Sequence, residues 1–254
     1  SCSFSMFFNF DTALEFHQFY CDTFSFDAYF RMVTQQDEHP SKQVVQTMKD
    51  PVIHISDRYN QLVSLANIPS TCTTYSMDTT LSSIQEYAVS FRKKHHLSDQ
   101  TKLIGFHPGN HQLNTNTLFQ KIGFNPRAWP LAYFKELGLQ LTDHFKDIAI
   151  VVTGGFYERK VTQKLVQSLR QLGIPVIHAA DKLPFFFSGA FHRFLGLISS
   201  LDLMVCGDTG PMHMAAALKR PVLGLFMYTD SRDTGPKGDP DLSAIVPKDT
   251  ELPR

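Results

Sequence analysis

From residue 101 onward, short and almost wholly apolar runs alternate with helical stretches, and each run stops at turn residues. "KLIGFH" is a strand candidate closed by Pro108, Gly109 and Asn110. After an irregular Asn-rich stretch, Pro130 opens a helix whose Phe134, Leu137, Leu141 and Phe145 fall on one face. "IAIVVTGG" is a strand of β-branched residues ending in a glycine pair, and "YERKVTQKLVQSLRQLG" is an amphipathic helix stopped by Gly173. "IPVIHA", "GAFHRFLGLISS", "LDLMVC", "PMHMAAALK" and "PVLGLF" continue the series. Strands without polar alternation, each followed by a helix, predict an α/β fold with a parallel sheet covered on both faces. In such sheets ligands bind where strands end and helices begin.

Residues 1 to 100 are less regular. "SMFFNF" and "PVIHI" are short strand candidates, and "TLSSIQEYAVSFRKKHHL" reads as a helix with basic residues at its end, as the macrodipole favours. "SDRYNQLVSLANIP" fits another helix with Ser56 or Asp57 as cap, and "RMVTQQDEHPSKQ" reads as a loop. A boundary is expected near residue 98, with a partial first domain over 1–98 and a second over 99–254.

Charge and cysteine content exclude little but point one way. Lys+Arg and Asp+Glu both total 24, so no net field favours nucleic acid or an anionic surface. The four cysteines show no zinc spacing, which fits a reduced, cytoplasmic chain. No run of about 18 apolar residues occurs. The beginning, "SCSFSMFFNF", has neither an initiator Met nor a charged stretch ahead of an apolar one, and is expected to start in mid-domain.

Three loops at strand ends are candidate binding elements. In "CGDTGPMHM", Pro211 stands in the first turn of a helix, so the amides of Gly210, Met212 and His213 are expected to point off the helix start. Such an end suits phosphate, with Thr209 and His213 as further donors and Gly210 admitting close approach. Asp208 would repel phosphate and suits sugar hydroxyls. Equally, Thr209 can be an ordinary cap and Asp208 a turn former. In "TGGFYE", Gly154 and Gly155 allow close backbone approach, while Glu158 can accept from ribose hydroxyls or simply complement a helix dipole. This is not G-x-G-x-x-G, so a nicotinamide-type fingerprint is absent. In the third loop, Arg127 precedes Trp129 and Pro130 and can reach a phosphate bidentately, or sit on the surface beside a core Trp. His107 reads as a satisfied strand-end histidine. Lys93, Lys94, His95 and His96 read as a solvated helix end, and Phe185, Phe186 and Phe187 as core.

The order of these loops resembles glycosyltransferase family 9, the heptosyltransferases of lipopolysaccharide core synthesis. The resemblance lies in "LIGFHPGN", "RAWP", "IAIVVTGGFYE", "DLMVCGDTGPMHMAAALKRPVLGLF" and "TDSRDTGP", and covers about residues 100 to 240. It implies a GT-B architecture of two facing Rossmann-like domains. It also implies inverting, metal-independent transfer of a heptose from ADP-heptose to a lipid A-core acceptor, with no cofactor and no nucleic acid partner. The enzyme would work in the cytoplasm at the inner membrane face. By position, Thr209, Gly210, Pro211, Met212 and His213 would hold the donor diphosphate, with Pro108, Gly109 and Asn110 on its other side. Arg127 would offset charge on the departing ADP, Asp208 would lie beside the donor sugar, and Glu158 would contact the ribose, with Gly154 and Gly155 lining that loop.

The family's Ser-Gly-Asp element, whose Asp is the base for the acceptor hydroxyl, has no match in residues 1 to 100; neither Asp11 nor Asp57 stands in that context. The chain is therefore expected to be cut at both ends and to lack the base. Two other readings stay open: another GT-B reaction such as a nucleotide-sugar epimerase, and a nucleotide-sugar-binding module without catalysis.

Overall fold

The computed structural model describes residues 3–9, 25–33, 44–48, 53–64, 68, 74, 76–77, 82–109, 128–180 and 190–247. The chain divides into two compact units, one of residues 1–73 with 232–234, the other of residues 74–231 with 235–254.

In the first unit, β1 (Ser3–Asn9), β2 (Ser25–Val33) and β3 (Val44–Met48) form a parallel sheet in that order. The apolar run "PVIHI" is not a strand where it is described, because α1 (Ile55–Ser64) already starts at Ile55. His54 rather than Ser56 or Asp57 organises that start: its carbonyl accepts from the Asp57 and Arg58 amides, and its Nδ1 from Ser56 N–H at 3.2 Å. Arg58 of α1 is buried and pairs with Asp233, which is how residues 232–234 come to cluster with this unit.

The second unit is built on six parallel strands in the order β6-β5-β4-β7-β8-β9. They are β4 (Lys102–His107), β5 (Ile148–Gly154), β6 (Val176–Ala180), β7 (Leu203–Gly207), β8 (Val222–Leu225) and β9 (Ser243–Val246). Counted from β4, this is the 3-2-1-4-5-6 order of a Rossmann sheet, and its direction reverses between β4 and β7. The strands are apolar without polar alternation because both faces are covered. On one face Leu103, Ala149, Val151, Met204 and Cys206 pack with Ile84, Leu195 and Ile198; on the other Ile104, Phe106, Ile150, Val152 and Val205 pack with Phe134, Leu165 and Leu169.

The first face is layered by α2 (Ser82–Lys94), α5 (Ala190–Ser199) and α6 (Gly210–Ala217); the second by α3 (Leu131–His144) and α4 (Arg159–Gln171). Helix α2 presents Ile84, Tyr87 and Phe91 along one stripe, and Gly196 of α5 lets it come close: a Cβ there would lie 2.8 Å from the Ile84 carbonyl oxygen. That packing places α2 with the second compact unit. Phe145 is not on the α3 face. It is the C-cap, with extended backbone, and is 58% exposed.

Candidate functional site at the sheet reversal

The site follows from strand order. Where the order reverses, the loops after β4 and β7 part in opposite directions and leave a crevice at the strand ends. The loop after β4 contains Pro108 and Gly109, both buried. The loop after β7 is Asp208-Thr209, leading into α6.

Thr209 is the N-cap by backbone conformation, but its hydroxyl does not cap the helix; it donates to the Gly207 carbonyl at 3.2 Å. The ordinary-cap reading of Thr209 therefore does not describe this turn. Gly210 opens the helix and has no intrahelical acceptor for its N–H. A Cβ on Gly210 would meet only the Met214 methyl, at 3.9 Å, so the space beside it is open. Pro211 follows, with no N–H to satisfy.

Met212 does not match its expected role. Its amide donates to the Thr209 carbonyl at 3.0 Å, closing the first turn, and its side chain is fully buried, the sulfur packing where Gly224 has no Cβ. His213 is half-buried in the same turn. Asp208 is held from the far side by Thr229, whose hydroxyl donates to Asp208 Oδ2 at 2.8 Å. Thr229 is a site residue that the sequence reading quoted within "TDSRDTGP" but assigned no role; a hydroxyl 21 residues downstream gives no local signal.

Across the reversal, β5 ends at Gly154, and a short 3-10 turn (Phe156–Glu158) leads into α4. Gly154 serves packing: a Cβ there would lie 2.6 Å from the Thr162 methyl of α4. Gly155 N–H donates to Glu158 Oε2 at 2.6 Å, so the acid caps its own turn. Glu158 Oε1 lies over Gly109, where an added Cβ would be 2.1 Å away. Among the described residues Oε1 has no hydrogen-bond donor.

Burial opposes the charge on Glu158, but the imidazole of His107 and the Gly155 amide outweigh it, and its carboxyl stays below the usual glutamate value. His107 Nε2 lies 3.6 Å from Glu158 Oε2, an ion-pair distance too long for a good hydrogen bond. Its Nδ1 is 3.0 Å from Thr153 Oγ1. Sequence reasoning set His107 aside and missed Thr153, because the contact depends on the β4–β5 register.

Asn110, Arg127 and Phe185 to Phe187 lie outside the described residues. Among the described residues no group of three His, Cys, Asp or Glu is arranged to hold a metal ion, and no helix is long and apolar enough to cross a membrane. Cys206 is a buried free thiol that burial pushes up to about 12.

Comparison with known proteins narrows the meaning of this crevice. The family described as glycosyltransferase family 9 (heptosyltransferase) matches residues 57–248. Lipooligosaccharide heptosyltransferase 2 of Haemophilus influenzae is 26% identical over 151 residues, 59% of this chain and 38% of that one. The match thus spans well under half of that relative's length. The structure of E. coli ADP-heptose lps heptosyltransferase II superposes with a TM-score of 0.65 at 16% identity, covering 96% of this chain and 67% of that one. E. coli heptosyltransferase WaaC with ADP gives 0.62 at 16% identity, covering 97% and 68%. At such identities these structural likenesses establish a shared α/β, GT-B-type fold.

Proposed function

The chain belongs to glycosyltransferase family 9, and from that premise we propose that it transfers a heptose or related sugar from ADP-heptose to the inner core of lipopolysaccharide. The transfer is inverting and needs no metal or other cofactor. The donor nucleotide and a lipid A-core oligosaccharide are its partners, and it works in the cytoplasm, at the face of the inner membrane.

One observation carries this reading: the open Gly210 N–H at the start of α6 stands at the sheet reversal, with Asp208 braced by Thr229 beside it. The charge arrangement suggests how a nucleotide diphosphate lies. The Glu158 carboxylate over Gly109 repels phosphate, so the loop after β4 suits the ribose, and the diphosphate belongs on the Gly210 side. This shifts Pro108 and Gly109 from the diphosphate lining toward the nucleoside. Among the described residues nothing donates to Glu158 Oε1, so it can accept from a ribose hydroxyl.

The chemistry follows from that placement. The acceptor hydroxyl attacks the anomeric carbon and loses its proton to a base, a role for which residues 1 to 100 hold no Ser-Gly-Asp element. The carbon–oxygen bond to the diphosphate breaks, and its electron pair leaves with ADP. Charge grows on the departing phosphate, where a preset amide and the positive helix end lower the barrier because they need no rearrangement. Arg127 adds a cation there. Asp208, kept off the phosphate by Thr229, accepts from the sugar.

The test is ADP release from ADP-heptose with and without a truncated core acceptor. Release is expected only with acceptor. Interconversion of the sugar without release would indicate an epimerase, and binding without turnover a recognition module.

A further inference from the structure

His107 is 4% exposed, yet it is a polar side chain at the end of a strand whose four preceding residues, 103 to 106, are buried packing residues. Its ring is fixed on three sides. Thr153 Oγ1 holds Nδ1 at 3.0 Å, Glu158 Oε2 faces Nε2 at 3.6 Å, and the Phe194 ring lies 6.5 Å away, centroid to centroid. The Thr153 hydroxyl has one proton and two neighbours, the Phe106 carbonyl at 3.5 Å and His107 Nδ1. If the proton goes to the carbonyl, Nδ1 must carry its own hydrogen to bond Thr153, and only a charged ring then also presents N–H to Glu158. If it goes to Nδ1, the neutral ring carries its hydrogen on Nε2. A neutral ring therefore aims an N–H at the carboxylate only in the second arrangement, with Thr153 donating to Nδ1.

We infer that His107 is the positioning residue for Glu158, fixing the carboxylate so that Oε1 is presented above Gly109 to the ribose hydroxyls of the donor. This rests on the reading that the nucleoside lies against Glu158. Oε2 accepts from the Gly155 N–H at 2.6 Å and faces His107 Nε2 at an ion-pair distance of 3.6 Å, and the orientation of Oε1 follows from the two together. With the Gly155 N–H as its one remaining facing donor, a carboxylate this buried would be free to rotate, and the set direction of Oε1 would be lost. His107 touches no donor atom in this scheme; it acts through Glu158.

Two amide substitutions separate positioning from plain packing, because each reproduces one ring nitrogen. His107→Gln places an N–H near Nε2, and His107→Asn places one near Nδ1 and cannot reach Glu158. Binding of ADP and of 2′,3′-dideoxy-ADP is measured by calorimetry for the full chain and both variants. The parent is expected to favour ADP by roughly tenfold or more, as removal of a hydrogen bond to a charged group does. His107→Gln should keep most of that preference. His107→Asn should lose it while its dideoxy-ADP affinity changes little.

Asn retaining the preference and Gln losing it would show that the Thr153 contact matters and overturn the inference. Equal loss of both nucleotides in both variants would also overturn it, as a structural role. A parent that binds both nucleotides equally would sink the ribose contact of Glu158 and this role with it. A parent that binds neither would instead remove the donor site itself. A variant without a cooperative thermal transition leaves the decision to the other, since each has its own expected preference.

Discussion

At the scale of single residues, two glycines of the crevice are used in opposite ways. Gly109 is covered by Glu158, while Gly210 has open space where a side chain would stand. Gly210→Val should therefore leave folding nearly unchanged, apart from a helix-propensity effect of a few tenths of a kcal/mol. The branched side chain would fill the approach to the amide, and ADP affinity should drop by about 100-fold or more, the scale of a lost charged-group contact plus a steric block. Thermal melting and calorimetry on the same sample check both halves. An unchanged affinity would place the phosphate elsewhere. The pair Glu158–His107 was only half legible: an acid near a helix start following two glycines is a readable sign, but its partner lies 51 positions earlier and is fixed by strand order alone.

At the scale of elements, three helices end in the same way. After α2, α4 and α6 the chain turns through a left-handed residue: His96 at φ 53°, Gly173 at φ 73° and Lys219 at φ 54°. In each, two amides fold back to the last turn, as with Lys219 N–H to Ala216 and Arg220 N–H to Ala215. Glycine is the residue suited to that position, and the sequence showed it only at Gly173. Lys219→Gly should therefore stabilise the protein by about 0.5–1 kcal/mol, read as a higher midpoint in denaturant, because it relieves the left-handed strain. A lower midpoint would mean that the lysine side chain contributes more than its backbone costs.

The series β4 to β8 was legible because each strand is a largely apolar run bounded by turn residues, buried in the centre of the sheet and half-buried at β6. β9 was not: Ser243–Val246 is four residues long and half-buried, and it gains its place by pairing with β8 and packing Ile245 and Val246 on opposite faces. "PVIHI" misled because a five-residue apolar run has no period to tell strand from helix.

At the scale of the molecule, pH dependence gathers the buried ionisable groups. His178, in contact with Thr162, is held below the ordinary histidine value of 6.5 by burial and by Arg159 and Arg170. Glu158 is likewise held below its ordinary 4.5, by His107 and the Gly155 amide against burial. A group depressed in the folded state stabilises above its unfolded value and loses that contribution as pH falls through the folded value. Stability should therefore begin to fall below about pH 6.5 as His178 resists protonation, and fall further below about 4.5 as Glu158 does. Chemical denaturation across this range checks the order. His178→Gln should reduce the upper phase, leaving the part that comes from His95, which burial, Lys94 and His96 also hold low, and leave the lower phase unchanged.

The loops of the second unit acquire a shared purpose only if a nucleotide occupies the sheet reversal, and that is the claim most directly open to measurement. Titration of the chain with ADP in a calorimeter, in buffer with EDTA and again with magnesium, tests it. One site is expected, with the same affinity in both buffers and an upward shift of the melting midpoint that grows with ADP concentration. Binding that disappears with chelator, or heat that is the same in Gly210→Val as in the parent, would contradict the account.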